Sequence, residues 1–97
     1  MTRNKITGTV KIEQHHSSGV PVTSQYTFVD RGIFRFYSPD WRHCHVRIMR
    51  LDANSVWFKV YSRSRNQWLY MDILHPGMAT TRVVGRVSIT VAVDWDK

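Results

Sequence analysis

Apolar and polar side chains alternate along most of this chain, which is the pattern of β-strands that bury one face. The alternation begins at Ile6 and is still present at Trp95. Clusters of Gly, Pro, Asp, Asn and Ser interrupt it and mark turns, one of them at 15–19. The strands are predicted at residues 5–13, 20–29, 33–37, 41–50, 56–63, 68–74 and 82–95. No segment has the three-and-four spacing of an amphipathic helix, and residues 78–81 are expected to form one helical turn at most.

This pattern predicts an all-β fold whose core is drawn from one side of each strand. We expect a single domain over residues 1–97, built as a small antiparallel barrel or sandwich of about six or seven short strands without a long helix. The inward-facing side chains are predicted to be Ile6, Val10, Ile12, Val22, Phe28, Phe34, Phe36, Val46, Ile48, Phe58, Val60, Leu69, Met71, Ile73, Val87, Ile89 and Val91. Cys44 shares the apolar side of its strand and is expected to be a buried, unreactive thiol.

Residues 56–63 and 68–74 flank a polar segment and predict a β-hairpin. If the aliphatic residues of both strands face inward, a four-residue loop sets three cross-strand pairs on the opposite face. These pairs are Arg63 with Trp68, Tyr61 with Tyr70, and Lys59 with Asp72. A cation–π contact, an aromatic pair and an opposite-charge pair would each stabilise this register.

The charge of the chain narrows the range of partners. Its formal net charge is +7, and ten of its fourteen basic residues are arginines. Arginine binds phosphate and carboxylate through a planar fork and stacks on rings. We therefore expect an anionic partner, although a positive charge also serves solubility alone.

Aromatic and basic residues are predicted to share one face of the hairpin and of the strand before it. This combination suits RNA or single-stranded DNA, because bases stack on rings while Arg and Lys neutralise phosphates. The candidate binding residues are His43, His45, Arg47, Trp57, Lys59, Tyr61, Arg63, Arg65, Trp68 and Tyr70. Two alternatives stay open: the same residues are typical of protein interfaces, or they are core residues under a second sheet or a twin subunit.

Metal and catalytic motifs are sparse. His43 and His45 point the same way on a strand, but Cys44 points the other way, and no further ligand stands at zinc-site spacing. We therefore predict no metal, no cofactor and no assigned catalytic residue. A metal-independent ribonuclease stays as a third reading, in which His43 or His45, together with Arg47, Lys59 or Tyr61, would supply the base, the acid and the cation on the phosphate.

The sequence thus favours a non-enzymatic basic binding module for RNA or single-stranded DNA. The alternative is a protein-interaction module or inhibitor, of the kind that viruses and mobile elements produce, which docks on a host protein or nucleoprotein complex. No apolar run is long enough to span a bilayer, and the N-terminus does not resemble a signal peptide. We therefore expect a cytoplasmic, intracellular protein without a membrane partner, and a homodimer stays open.

Overall fold

The computed structural model describes residues 4–15 and 19–96, which form eight antiparallel strands. The strands are β1 (Ile6–Gln14), β2 (Val22–Val29), β3 (Arg31–Ser38), β4 (Arg42–Asp52), β5 (Ser55–Ser62), β6 (Gln67–Leu74), β7 (Ala79–Val84) and β8 (Val87–Trp95). No helix occurs among the described residues, and so none there is long and apolar enough to cross a membrane. The all-β prediction is confirmed, while residues 16–18 of the turn predicted at 15–19 lie outside the described residues.

The strands form two four-stranded sheets that pack as a sandwich. The hydrogen-bonded order is β6-β5-β4-β3-β2-β1-β8-β7, but β2 and β3 share only one residue pair, Val29 with Arg31. We call β3, β4, β5 and β6 the front sheet, and β1, β2, β7 and β8 the back sheet. Because β6 and β7 stand at the open ends of the order, the fold is sandwich-like and not a closed barrel.

The core lies between the two sheets and takes alternate side chains from each. Its buried hydrophobic residues are Ile6, Val10, Ile12, Phe28, Phe36, Cys44, Val46, Ile48, Val56, Phe58, Val60, Leu74, Val84, Val87, Ile89, Val91 and Val93. Phe34 and Leu69 pack partly buried against this cluster. Three residues predicted to face inward are instead exposed: Val22 at the first position of β2, and Met71 and Ile73 on β6.

Asp30 connects the two sheets at the point where the chain passes from β2 to β3. Its backbone has a positive φ of 63°, a conformation that Asp tolerates better than most residues. Its carboxylate accepts hydrogen bonds from the Ile6 backbone N–H on β1 and from the Arg50 guanidinium on β4, both at 2.9 Å. The Ile6 N–H, followed by Arg50, holds the pKa of Asp30 below its usual value. One side chain therefore ties the front sheet to the back sheet.

The segment predicted as one strand over 82–95 is a hairpin of β7 and β8. Gly85 and Arg86 form its two-residue turn, and both have positive φ, 50° and 64°. Two left-handed residues match the right-handed twist of the flanking strands. Residues 78–81, for which one helical turn at most was expected, do not form it, because β7 begins at Ala79 and pairs with β8 along its length.

Candidate functional site

The outer face of the front sheet collects most of the candidate binding residues. Strand alternation places them opposite the buried Val56, Phe58 and Val60 of β5 and their neighbours. We call this surface the basic-aromatic face. It consists of Arg31, Ile33, Arg35, Tyr37, His43, His45, Met49, Arg47, Trp57, Lys59, Tyr61, Arg63, Trp68, Met71 and Ile73.

Strand pairing arranges this face in rows that cross the sheet from β3 to β6. The first three rows are Arg31–Met49–Trp57–Ile73, Ile33–Arg47–Lys59–Met71 and Arg35–His45–Tyr61–Trp68. A fourth row pairs Tyr37 with His43, and the backbone N–H of Arg63 donates to the His43 carbonyl at 2.8 Å. Each of the first three rows therefore contains both a cation and an aromatic or apolar side chain.

The cations of this face lack acidic partners. None of the residues of the face, all within the described part of the chain, is Asp or Glu. The salt bridges found among residues 4–15 and 19–96 join other groups, such as Arg50 with Asp30 and Arg86 with Asp40. The face is consequently a patch of uncompensated positive charge in which an anion would be attracted.

The aromatic residues of β5 and β6 form a cluster around Lys59. The Lys59 Nζ atom lies 3.8 Å from the centre of the Trp57 ring and 5.1 Å from that of Trp68. The Tyr61 and Trp68 rings lie 4.6 Å apart, and the Tyr61 hydroxyl donates to the Asn66 side chain. Trp68 is 51% exposed, so ring surface is available to a partner.

The predicted register of the hairpin is wrong. A bulge at Leu69 makes Trp68 the partner of Tyr61, and Tyr70 the partner of the inward-facing Val60. Lys59 consequently pairs with Met71, and Phe58 pairs with Asp72. Met71 and Ile73 thus move to the outer face, where they are 63% and 43% exposed.

Tyr70, predicted as a binding residue, lies on the inner side of β6. Its ring packs edge-on against Phe58 at 5.4 Å, and its hydroxyl donates to the Asp72 carboxylate at 2.9 Å. The Arg82 guanidinium of β7 lies 4.8 Å from the ring centre, on the open side between the two edge strands. The polar atoms of Tyr70 and Asp72 are satisfied at this edge, so both residues can face inward.

The two loop arginines lie in different surroundings. Arg63 is exposed and lines a shallow depression with His43 and Ser64. Arg65 turns towards the loop between β3 and β4, where its Nε donates to the Asp40 carbonyl at 3.1 Å and its guanidinium lies 5.8 Å from the Trp41 ring. Arg63 therefore belongs to the basic-aromatic face, whereas Arg65 does not.

His45 lies at the centre of the positive charge. Burial lowers its pKa below the usual value, and repulsion by Arg63, Arg47 and Arg35 lowers the pKa further. Its ring is 5.5 Å from that of Tyr61. Burial and the surrounding arginines therefore disfavour the charged imidazolium form of His45.

β3 contributes residues to this face that are not among the predicted binding residues. Arg31, Ile33, Arg35 and Tyr37 alternate with inward-facing residues along this strand, and all four are exposed. Together with Arg47 and Met49 of β4, Arg31 and Ile33 line a shallow depression of about 560 Å³. The alternation within β3 indicates which of its residues share a side. It does not reveal that β3 lies next to β4 with its arginines outward.

Neither a cluster of metal ligands nor an exposed thiol occurs among the described residues. Among residues 4–15 and 19–96, no group of three or more His, Cys, Asp or Glu side chains is placed to hold a metal ion. The Cys44 thiol is buried against the Trp41 carbonyl, and burial raises its pKa. The expectation of a buried Cys44 is confirmed.

The fold and this face define an all-β sandwich with one basic, aromatic sheet surface. No family model, no curated protein and no solved structure matches the chain. The side chains of the face are therefore the basis for a proposal about its partner.

Proposed function

We propose that the basic-aromatic face binds single-stranded nucleic acid, either RNA or single-stranded DNA. The observation that carries this proposal is the row arrangement, in which cations that form no salt bridge within the described residues stand beside half-buried or exposed rings. Arg and Lys neutralise phosphates, and each base that stacks on a ring contributes about 1–3 kcal/mol.

The apolar part of the face favours a single strand over a duplex. Ile33, Trp68, Met71 and Ile73 are between 43% and 63% exposed. A duplex keeps its bases stacked inside and offers phosphates and sugars, which cannot cover these side chains. Bases splayed from a single strand can lie on them and remove apolar surface from water.

Fluorescence anisotropy with labelled (dT)12 and (U)12 tests this proposal. If Arg31, Arg35, Arg47, Lys59 and Arg63 each neutralise one phosphate, the logarithm of affinity should fall with log salt at a slope near −3.5. A blunt-ended duplex of the same length should bind more weakly. RNA recovered intact after incubation with the protein would argue against the ribonuclease alternative, and fragments with 2′,3′-cyclic ends would support it.

A pair of matched variants ties the binding to this face. Arg47→Glu and Lys11→Glu change the net charge equally, but Lys11 lies on the outer face of the back sheet beside Glu13. We expect Arg47→Glu to weaken binding about tenfold or more, because a charge-assisted contact is lost and a repulsion is added. Lys11→Glu should change affinity less than about twofold, because distant exposed charges are screened. Equal losses in both variants would contradict the proposal.

The second candidate is a protein-interaction module or inhibitor. Trp, Tyr, Met and Arg are enriched at protein interfaces, and Arg47, Trp68 and Met71 all lie on this face. A partner captured from lysate distinguishes the two. An acidic protein that stays bound after nuclease treatment and is lost with Arg47→Glu would favour this candidate over nucleic acid.

A further inference from the structure

We infer that the basic-aromatic face holds a phosphate track and a base track side by side, so that a bound single strand runs along the β-strands. The phosphate track lies on β3 and β4 and consists of Arg31, Arg47 and Arg35. The base track lies on β5 and β6 and consists of Trp57, Tyr61 and Trp68. This inference rests on the proposed function and extends the site to β3.

The cations of the phosphate track follow one another at regular spacing. Arg31 stands in the first row, Arg47 in the second and Arg35 in the third. Rows on one face are two residues apart, or about 6.6 Å. A chain of phosphates lying along β3 and β4 therefore meets one guanidinium in each of the first three rows.

These guanidinium groups are free to bind an anion. Within the described part of the chain, the side chains of Arg31, Arg35 and Arg47 make no hydrogen bond or salt bridge. Arg50, on the same strand as Arg47, contrasts with them. Its guanidinium is held by Asp30 and by the backbone carbonyls of Asn4, Asp52 and Ala53.

The base track lies about 10 Å away across two strand spacings. Trp57 provides a ring in the first row, and Tyr61 and Trp68 provide rings in the third. Lys59 lies in the second row on β5, the strand of the base track that is next to β4, and its ammonium lies over the Trp57 ring. The long side chains of the arginines and of Lys59 reach across part of the distance between the two tracks. One nucleotide therefore has to bridge only the remaining distance between its bound phosphate and its stacked base.

The length of the face sets the length of the bound strand. Four rows span about 20 Å, which corresponds to about four nucleotides when each row receives one of them. We expect affinity in a series from (dT)2 to (dT)12 to rise steeply up to about four nucleotides and slowly thereafter. A steep rise that continues through (dT)12 would overturn a site confined to this face.

Two ligands and two sets of variants separate the tracks. The ligands are (dT)8 and an octamer with the same backbone and abasic sites throughout. Arg31→Gln with Arg35→Gln should weaken both ligands by a similar factor, about tenfold or more, and should make the salt slope shallower by about 1.4. Trp68→Ala should weaken (dT)8 by about 5- to 150-fold and leave the abasic octamer unchanged. Trp68→Phe, which keeps a ring, should recover most of the lost affinity.

The outcomes distinguish this inference from the proposed function. If the wild-type protein binds neither (dT)8 nor (U)12, the proposed function fails and the tracks fail with it. If it binds (dT)8, but Trp68→Ala weakens both octamers equally or the arginine pair changes neither, only the division into tracks is overturned. Circular dichroism and thermal unfolding of each variant show whether the loss comes from misfolding, and Trp68→Phe provides the test if Trp68→Ala does not fold.

Discussion

The outer faces of the two sheets are both formed by every second residue of four antiparallel strands, but they carry different side chains. The back sheet presents mostly threonine and other small or neutral residues, and its cation Lys11 is paired with Glu13 at 3.5 Å. Its outward residues are Thr7, Thr9, Lys11, Glu13, Thr23, Gln25, Thr27, Val29, Ala79, Thr81, Val83, Ser88, Thr90, Ala92 and Asp94. The front sheet instead presents arginines and large rings with no acidic residue among them.

This difference shows which kinds of side chain an outer sheet face needs for folding and which it does not need. Both sheets bury aliphatic side chains on their inner sides, and β-branched threonine satisfies the preferences of an exposed strand. The back sheet therefore shows that the fold does not need Trp, Arg or Met on an outer face. Unpaired cations repel one another, so their concentration on the front sheet points to a binding role.

The largest effect is expected when a buried side chain on the inner side of the front sheet is truncated. Phe58 is fully buried, and Phe58→Ala should lower the free energy of unfolding by about 3–5 kcal/mol. Met71→Ala, on the outer side, should change it by less than about 0.5 kcal/mol. Urea denaturation of both variants checks this. A large loss of stability in Met71→Ala would mean that the outer face is covered by protein, as in a dimer.

The next effect concerns binding and compares one exposed apolar residue from each face. Trp68 is 51% exposed on the front sheet, and Val83 is 69% exposed on the back sheet. Trp68→Ala should cost about 1–3 kcal/mol of binding free energy to (dT)12, because a stacking ring is lost. Val83→Ala should leave the affinity unchanged. A comparable loss in the two variants would remove the distinction between the faces.

Tyr70 tests the assignment of β6 residues to the two sides of the front sheet. Tyr70→Phe removes the hydrogen bond to Asp72 and should lower the free energy of unfolding by about 0.5–1.5 kcal/mol. The affinity for (dT)12 should not change, since the ring lies on the inner side. If Tyr70→Phe weakens binding while stability is kept, the structural assignment of this residue is wrong.

The smallest effect is a pH dependence that only the front sheet should produce. The charged and titratable groups around His45 are Arg35, His43, Arg47, Lys59, Tyr61 and Arg63. Phosphates placed on these arginines would offset their repulsion and raise the lowered pKa of His45, so binding takes up a proton. Affinity should therefore rise as pH falls from 7.5 towards 5.5, by up to about tenfold for each unit of pKa shift. His45→Gln should flatten this dependence, and an unchanged pH profile in that variant would exclude His45 as its source.

The inner side of the fold was more predictable from sequence than the hairpin register. Strict alternation in β1, β5 and β8 identifies the buried residues, because a one-residue slip would expose every aliphatic side chain of the strand. In β6, aromatic and aliphatic residues fit either side. The bulge at Leu69 then reverses the expected faces, which moves Tyr70 inward and Met71 outward. The count of strands differed because Gly85 and Arg86 form a turn inside a valine-rich run.

The site was predicted in part, for reasons that lie in long-range pairing. His43, His45, Arg47, Trp57, Lys59, Tyr61, Arg63 and Trp68 do share one face, as the alternation of β4 and β5 predicts. Arg31 and Arg35 were missed, because the sequence does not show which strand lies beside β4. Arg65 was predicted to belong to this face but turns away from it. Its contact with the Asp40 carbonyl joins residues far apart in the chain, and the sequence does not show such a contact.

A residue-by-residue titration with nucleic acid shows directly whether the front sheet is the binding surface. Backbone amide shifts of the isotope-labelled protein are recorded while (dT)6 is added. We expect the shifts to be concentrated on β3–β6, at residues such as Arg35, Arg47, Lys59 and Trp68, and the back-sheet residues Thr9 and Thr90 to stay unchanged. Shifts centred on the threonine-rich face, or no shifts at saturating (dT)6, would contradict this expectation.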